Sequence, residues 1–453
     1  MLKNLKRGGN KSPSFFLSSD TAGDISCALM DLKGATVLGI NPPVYDFTWF
    51  DLWSKPAGLL SLLQNLRRSG NDVHLIDCLY ETRKQKLDFG RWKTERTLVD
   101  KPVPYHGYKI PRRYYRFGLG GEGLKKRLAS CPKPDIILVT SAMTYWYKGV
   151  YETIEAAKEI FPDAFVVLGG VYALLCPEHA SLSGADFIQT EHFSLPAPFS
   201  YETLAIDLYE SPSYGVLITS WGCPMTCGYC ASGKLWPVFS QRCPEEVFKD
   251  LAYQTSIRTV TDMAFYDDAL LLNKERLFYP LCRHIREYYP GLRLHTPNGM
   301  HVSQMDDECC ETLFRTGFRT IRLSLEGTDE FTARVSSDKT AAHEYERAVE
   351  SLLRAGYGMD DIETYILVGL PGQNSKDVCK SIETVINLGG RPKLTDFSPI
   401  PGTPLFQSAL RWTPDIAKEP LLHNKTIYTA YVAKSVAPDE LQNLKDMTKK
   451  SLP

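Results

Sequence analysis

The chain has 453 residues, 43% of them hydrophobic, and a formal net charge of −1. That length is a prior for two or three domains, and the apolar content favours packed cores over disorder. A charge near zero gives no global field toward nucleic acid or membrane surfaces, and no run of about 18 apolar residues is present to span a bilayer.

The first residues, MLKNLKRGGNKSPSFFL, are basic. Their apolar run is too short for a signal peptide and no small-residue cleavage site follows, so 1–34 reads as an extension. ATVLGIN (35–41) predicts a short buried strand, and KPAGLLSLLQNLRRSG (55–70) a helix that stops at Gly70. DVHLIDC (72–78), PDIILVTS (134–141), AFVVLGG (164–170) and ADFIQT (185–190) predict further strands, with a helical VYETIEAAKEIF (150–161) among them. Apolar strands alternating with helices argue for an open parallel sheet covered on both faces. The expectation is an α/β chain whose first domain, 35–195, is Rossmann-like. The weakly periodic LPAPFSYETLAIDLYESPS marks a linker over 196–213.

The alternation then restarts. YGVLITS (214–220), TDMAFYDD (261–268), LRLHTPNG (292–299), TIRLSLEG (320–327), ETYILVGLPG (363–372) and LTDFSPIPGT (394–403) read as strands. Helical stretches such as EEVFKDLAYQTS (245–256), ECCETLFRTG (308–317) and AAHEYERAVESLLRAG (341–356) separate them. Six β/α units in a row predict a (β/α)6 barrel or partial barrel over 214–403, whose chemistry would sit at the C-terminal ends of the strands. A helical tail closes the chain over 404–453.

Twelve cysteines are scattered through the sequence, with one tight cluster, Cys223, Cys227 and Cys230. A long chain with one cluster fits reducing, cytoplasmic conditions better than a secreted disulfide scaffold. Three thiolates can hold three corners of a cubane and leave one iron open. Ferredoxin-type carriers and structural zinc sites supply four ligands. The alternatives on spacing are a zinc site completed by Cys243 or a histidine, and thiols with no metal.

The loop Cys223-Pro-Met-Thr-Cys227-Gly-Tyr229-Cys230 resembles the signature of the radical S-adenosylmethionine (SAM) superfamily. That resemblance implies a [4Fe–4S] cluster on the three cysteines, with the amine and carboxylate of S-adenosylmethionine on the fourth iron and Tyr229 near the adenine. FYDDALL (265–271) occupies the position of the family's Gly-Gly-Glu-like element and implies Asp267 and Asp268 as acceptors for the methionine amine, against a helix-capping role. RLSLEG (322–327) resembles the ribose- and carboxylate-contacting strand and offers Ser324 and Glu326, while Arg322 is a carboxylate partner or a structural ion pair. YILVGLPGQ (365–373) resembles the glycine motif beside the adenine, with Gly369 and Gly372, and SPIPGTP (398–404) the sixth-strand end. The implied chemistry is reductive cleavage of the sulfonium to a 5′-deoxyadenosyl radical that attacks an unactivated carbon. An apolar barrel interior would shield it.

A Rossmann-like domain ahead of such a barrel resembles the cobalamin-binding subclass. Gly169 and Gly170 then end a strand where a macrocycle or its nucleotide tail approaches, or simply make the turn there. The loop NPPVYDFTWFDLWSKPAG (41–58) holds no histidine, and His74 lies within the second strand, so no cobalt ligand is offered by the Asp-x-His-x-x-Gly pattern. Cobalamin-dependent methyl transfer, cobalamin-free rearrangement, cyclisation or C–C coupling, and a non-catalytic iron–sulfur or zinc protein are the competing readings. The first two imply a small-molecule or lipid substrate and an electron donor such as flavodoxin or ferredoxin. No nucleic-acid partner and no membrane span are expected.

Two further features compete for attention. Gly118-Leu-Gly120-Gly-Glu-Gly123 fits a dinucleotide pattern but follows no first strand. Residues 81–127 carry 14 Lys or Arg against 5 Asp or Glu, with tyrosines interleaved. They read as a solvated insertion over the sheet edge, with base stacking or an anion pocket as the alternatives.

Overall fold

The computed structural model describes residues 25–48, 53–191, 203–337 and 342–449. The expected extension up to residue 24 and the first part of the expected linker, 196–202, lie outside them. The chain forms two compact units. One runs to Val103 and resumes over Pro111–Pro212; the other takes Pro104–Ile110 and everything from Ser213.

The first unit is built on five parallel strands: β1 (Thr36–Asn41), β2 (Asp72–Asp77), β3 (Ile136–Val139), β4 (Phe165–Leu168) and β5 (Phe187–Ile188). Their spatial order is β2-β1-β3-β4-β5. This doubly wound order places a crevice at the C-terminal ends of β1 and β3, where the winding reverses. Helix α1 (Ala57–Arg68) buries Leu59, Leu63 and Leu66 against Val37, Val73 and Ile136 of the sheet, which explains the apolar spacing in its sequence. Helix α2 (Tyr147–Ile160) connects β3 to β4.

The basic region is not a loose insertion. Val44–Asp46, Tyr114–Phe117 and Arg96–Val99 form a three-stranded antiparallel sheet, and Arg83–Lys86 pairs with Trp92–Thr94. Its cations are used locally: Arg116 pairs with Glu152, Arg127 with Glu81, Lys84 with Glu95, and Arg96 lies over the Tyr115 ring. In the dinucleotide-like loop the Arg116 side chain covers Gly120, and the Gly121 N–H donates to Glu152. The strand before that loop belongs to the antiparallel sheet rather than to a parallel βαβ unit.

The second unit is a seven-stranded parallel sheet, six of its strands in sequential order, β6 (Tyr214–Leu217), β7 (Asp262–Phe265), β8 (Arg293–His295), β9 (Phe318–Glu326), β10 (Ile362–Val368) and β11 (Arg391–Asp396), with the short strand Met300–His301 paired to β9 off that path. The longer helices that join them are α3 (Pro244–Thr255), α4 (Phe278–Tyr288), α5 (Asp307–Thr316), α6 (Ala342–Ala355) and α7 (Ser375–Asn387). Leu217, Met263, Phe265, Leu294, Ile321, Leu323, Ile362 and Ile366 face a helix-side core. The first strand needs a partner on its open edge, and Gln254 of α3 provides it, accepting from Val216 N at 2.9 Å and donating to Val216 O at 2.7 Å.

The opposite face is not apolar, contrary to the sequence expectation. Strand alternation sends Arg322, Glu363 and Lys393 to one side together, and the charges are tolerated because they are paired. Arg322 Nε and Lys393 Nζ each lie 3.1 Å from Glu363 Oε2, and Arg322 also donates to Pro297 O. Lower on the same face His295 Nε2 meets Asp262 Oδ1 at 3.0 Å.

Residues 104–110 complete the second unit. Tyr105 is fully buried and its hydroxyl donates to Leu421 O at 2.9 Å. Among the described residues no helix is long and apolar enough to cross a membrane.

Candidate active site

The three cysteines lie on the loop that leaves the C-terminal end of β6. The loop is fixed at one residue. Gly228 N–H donates to Val335 O at 2.7 Å, and Leu405 N–H donates to Gly228 O at 2.8 Å. Cys227 is buried and its thiol contacts Ser336 O at 3.3 Å, whereas Cys230 is exposed and accepts from Ser232 N at 3.4 Å. Among the described residues no three His, Cys, Asp or Glu side chains converge on one metal-ion position. A cubane distributes its thiolates over three irons, so its ligands need not share one point. The donor set, three thiols on one loop at the strand ends, fits such a cluster.

Around that loop the structure brings most of the expected residues to the same end of the sheet. The Tyr229 hydroxyl faces Glu326 and Cys227, and burial with those neighbours pushes it well above the usual phenol range. Glu326 is buried and ends β9 with φ 65°, at a register shift in its pairing with β10. A non-glycine residue in left-handed backbone is strained, and such strain concentrates at functional sites. Ser324 lies one pleat below and is also buried; Gly299 leaves it room, since a Cβ there would stand 2.2 Å from its Oγ.

Asp267 and Asp268 behave differently. Asp267 is buried and accepts from Thr219 N at 3.0 Å, Thr219 Oγ1 at 2.6 Å and Ser220 Oγ at 2.7 Å. Burial raises its pKa and those donors oppose the rise. Its oxygens hold the start of the cysteine loop, a positioning role that the sequence reading did not give it. Asp268 is exposed and meets the Ser232 hydroxyl, two residues past Cys230.

Gly369 has φ 86°, and a Cβ there would stand 2.3 Å from Thr429 Cγ2. Gly372 faces the Phe331 ring. The turn between them is held by Gln373, which accepts from Gly369 N at 2.9 Å and Leu370 N at 3.3 Å and donates to Leu367 O at 3.0 Å. Sequence reasoning missed Gln373 and Gly228. The glycine between two closely spaced cysteine ligands was the available signal for the second.

In the first unit Gly169 and Gly170 follow β4. Gly170 has φ 90°, and a Cβ there would stand 2.4 Å from Ser141 O. Ser141 Oγ donates to Gly169 O at 3.3 Å, and Val171 N donates to Ser141 O at 2.9 Å. The pair thus packs the β4 turn onto the end of β3, beside the crevice. His74 stays in β2 and contacts Asp72.

Residues 217–385 match the family model of the radical SAM superfamily. The second unit is a radical SAM domain. The chain is accordingly an enzyme, and the cofactors of its family are a [4Fe–4S] cluster and S-adenosylmethionine. An uncharacterized methyltransferase of Pyrococcus horikoshii is 22% identical over 330 residues, 61% of this chain and 70% of the relative. Among solved structures, the radical S-adenosylmethionine methyltransferase TsrM of Kitasatospora setae has a TM-score of 0.58 at 15% identity, covering 85% of this chain and 77% of its own. The cobalamin-dependent S-adenosylmethionine radical enzyme OxsB gives 0.52 at 12% identity, covering 96% of this chain and 62% of its own. The fold, a Rossmann-like unit with a radical SAM unit, is therefore shared with these two enzymes.

Proposed function

We propose that this chain is a cobalamin-dependent radical SAM methyltransferase. The observation that carries the reading is the three-cysteine loop at the end of the first barrel strand, in a chain that also has a doubly wound sheet in its other unit. The names of its relatives support methyl transfer. Cys223, Cys227 and Cys230 hold the cluster. Asp268, exposed beside the cysteine loop, takes the methionine amine, while the buried Asp267 holds Thr219 and Ser220. Glu326 and Ser324 face the ribose and carboxylate, Tyr229 and the Gly369–Gly372 turn flank the adenine, and Gly169–Gly170 receive the cobalamin. Bound together, these cofactors supply one-electron cleavage of the sulfonium and a methyl carrier. The protein's own part is to hold them and to exclude water. A small electron carrier of the flavodoxin or ferredoxin kind reduces the cluster, in the reducing cytoplasm. The substrate is a small molecule or a lipid with an unactivated carbon.

Anaerobic reconstitution tests this reading. Iron and sulfide should load at cluster stoichiometry, S-adenosylmethionine should perturb the cluster spectrum, and reduction should release 5′-deoxyadenosine or S-adenosylhomocysteine. Cys227→Ala should lose the iron. Cobalamin should be retained after gel filtration. A loaded cluster that S-adenosylmethionine does not perturb sinks the radical reading. An active enzyme that retains no cobalamin selects rearrangement, cyclisation or coupling instead.

A further inference from the structure

The first unit holds a cavity of about 260 Å³ beyond the C-terminal end of β2, the edge strand of its sheet. Its lining is mostly polar, with Leu75 and Leu208 as the apolar part and the Tyr80 and Tyr209 rings packed edge-on against each other, Lys55 over the second; the charged groups at the lining are Asp77, Glu81, Arg83, Arg127 and Glu210. Most of those charges already have partners. Asp77 accepts from Tyr209 at 2.7 Å, from Asn41 at 3.0 Å and from the N–H groups of Leu79 and Tyr80, with the buried Lys55 beside it. Glu81 and Arg127 pair with each other at 3.0 Å.

Two charges remain. The Arg83 guanidinium carbon sits 3.3 Å above the centre of the Tyr80 ring, with Trp92 at 5.6 Å on another side. Stacking fixes the plane of the fork, yet among the described residues Arg83 donates no hydrogen bond, and its NH1 is buried. A desolvated guanidinium nitrogen without an acceptor is unfavourable, and a planar carboxylate satisfies it with two parallel bonds. Glu210 lines the same cavity and is exposed, with no ion pair among the described residues.

We propose that this cavity binds a small zwitterion of the free amino-acid class, its carboxylate on Arg83, its ammonium on Glu210 and an apolar side chain between Leu75, Leu208 and the tyrosine rings. The cavity is somewhat smaller than a drug-sized pocket, which suits a molecule of that size. The site is built from residues of the first unit alone and does not depend on the radical reading.

Calorimetric titration of the full-length protein tests the assignment with four probes: L-leucine, isocaproate (no amine), isoamylamine (no carboxylate) and inorganic phosphate. Leucine should bind saturably and at least about ten-fold more tightly than either half-molecule, since each charge-assisted contact is worth roughly that factor or more. Arg83→Gln should weaken leucine by a similar factor, and Arg83→Lys, which keeps the charge but loses the fork, should fall between. Glu210→Gln, a surface change, should bring leucine down to the affinity of isocaproate. Phosphate binding more tightly than leucine would overturn the zwitterion class. No saturable binding of any probe, or leucine affinity unchanged in Arg83→Gln and Glu210→Gln, would overturn the site.

Discussion

Leu405 donates a 2.8 Å hydrogen bond to the carbonyl of Gly228, so the residue between Cys227 and Tyr229 is tied to a segment 177 positions further along the chain. The Gly228 N–H is used as well, toward Val335. Gly228→Ala should be tolerated, because a Cβ there meets Leu405 and Val335 only at ordinary contact distance, 3.5 Å. Gly228→Pro removes the donor and leaves Val335 O unmet, a loss of about 1–3 kcal/mol. Iron content after reconstitution should be near wild type for the first variant and clearly reduced for the second.

Glu326 inverts a usual order of stability. Alanine normally exceeds glycine because it restricts the unfolded chain, but at φ 65° the Cβ is a burden. Glu326→Gly should therefore be more stable than Glu326→Ala by about 1 kcal/mol. Both should lose 5′-deoxyadenosine formation if the carboxylate faces the ribose. Chemical denaturation of the pair decides the first point, and product analysis the second.

Gly369→Ala meets two obstacles, its backbone angle and the Thr429 side chain. The first alone costs roughly 1–3 kcal/mol. Thr429 Oγ1 is buried without a hydrogen-bond partner among the described residues, so Thr429→Ala should be mild by itself. In the double variant the contact penalty should shrink while the backbone penalty stays. A double-mutant cycle by thermal melting should give a coupling of favourable sign, and strict additivity would contradict the close approach.

Asp262 predicts an acid limb. Burial acts to raise its pKa, but hydrogen bonds from His295, Arg293 and Thr261 outweigh this and hold the carboxyl well below the usual range. A folded-state value below the unfolded one stabilises the protein above the ordinary carboxylate pKa, about 4, and the contribution is lost as pH falls toward the folded value. Asp262→Asn should be less stable than wild type at neutral pH, and the gap should narrow on acidification below about pH 4. Parallel denaturation series across that range would show it.

Much of this was legible in the sequence because it is local. Period-two and apolar runs marked the strands of both units, and the Cys-x3-Cys-x2-Cys spacing marked the loop. What stayed hidden depends on partners far along the chain. Gln254 reads as a polar helix residue until the open edge of β6 is seen beside it. Arg322 could be read as half of an ion pair, but its partner could not: Glu363 and Lys393 stand on two other strands, and only the register brings the three together. Asp267 and Asp268 are adjacent and chemically equal, and alternation alone gives one a buried job and the other an exposed one.

Tyr105 carries a consequence for synthesis. Its acceptor, Leu421, emerges 316 residues later, which at typical translation rates is a delay of roughly 15–60 s. Throughout that interval the first sheet can form around a segment, 104–110, whose docking surface has not yet been made. A nascent chain stalled midway would expose Tyr105 and Ile110 to chaperones, and a chain truncated near residue 212 would keep them exposed for good.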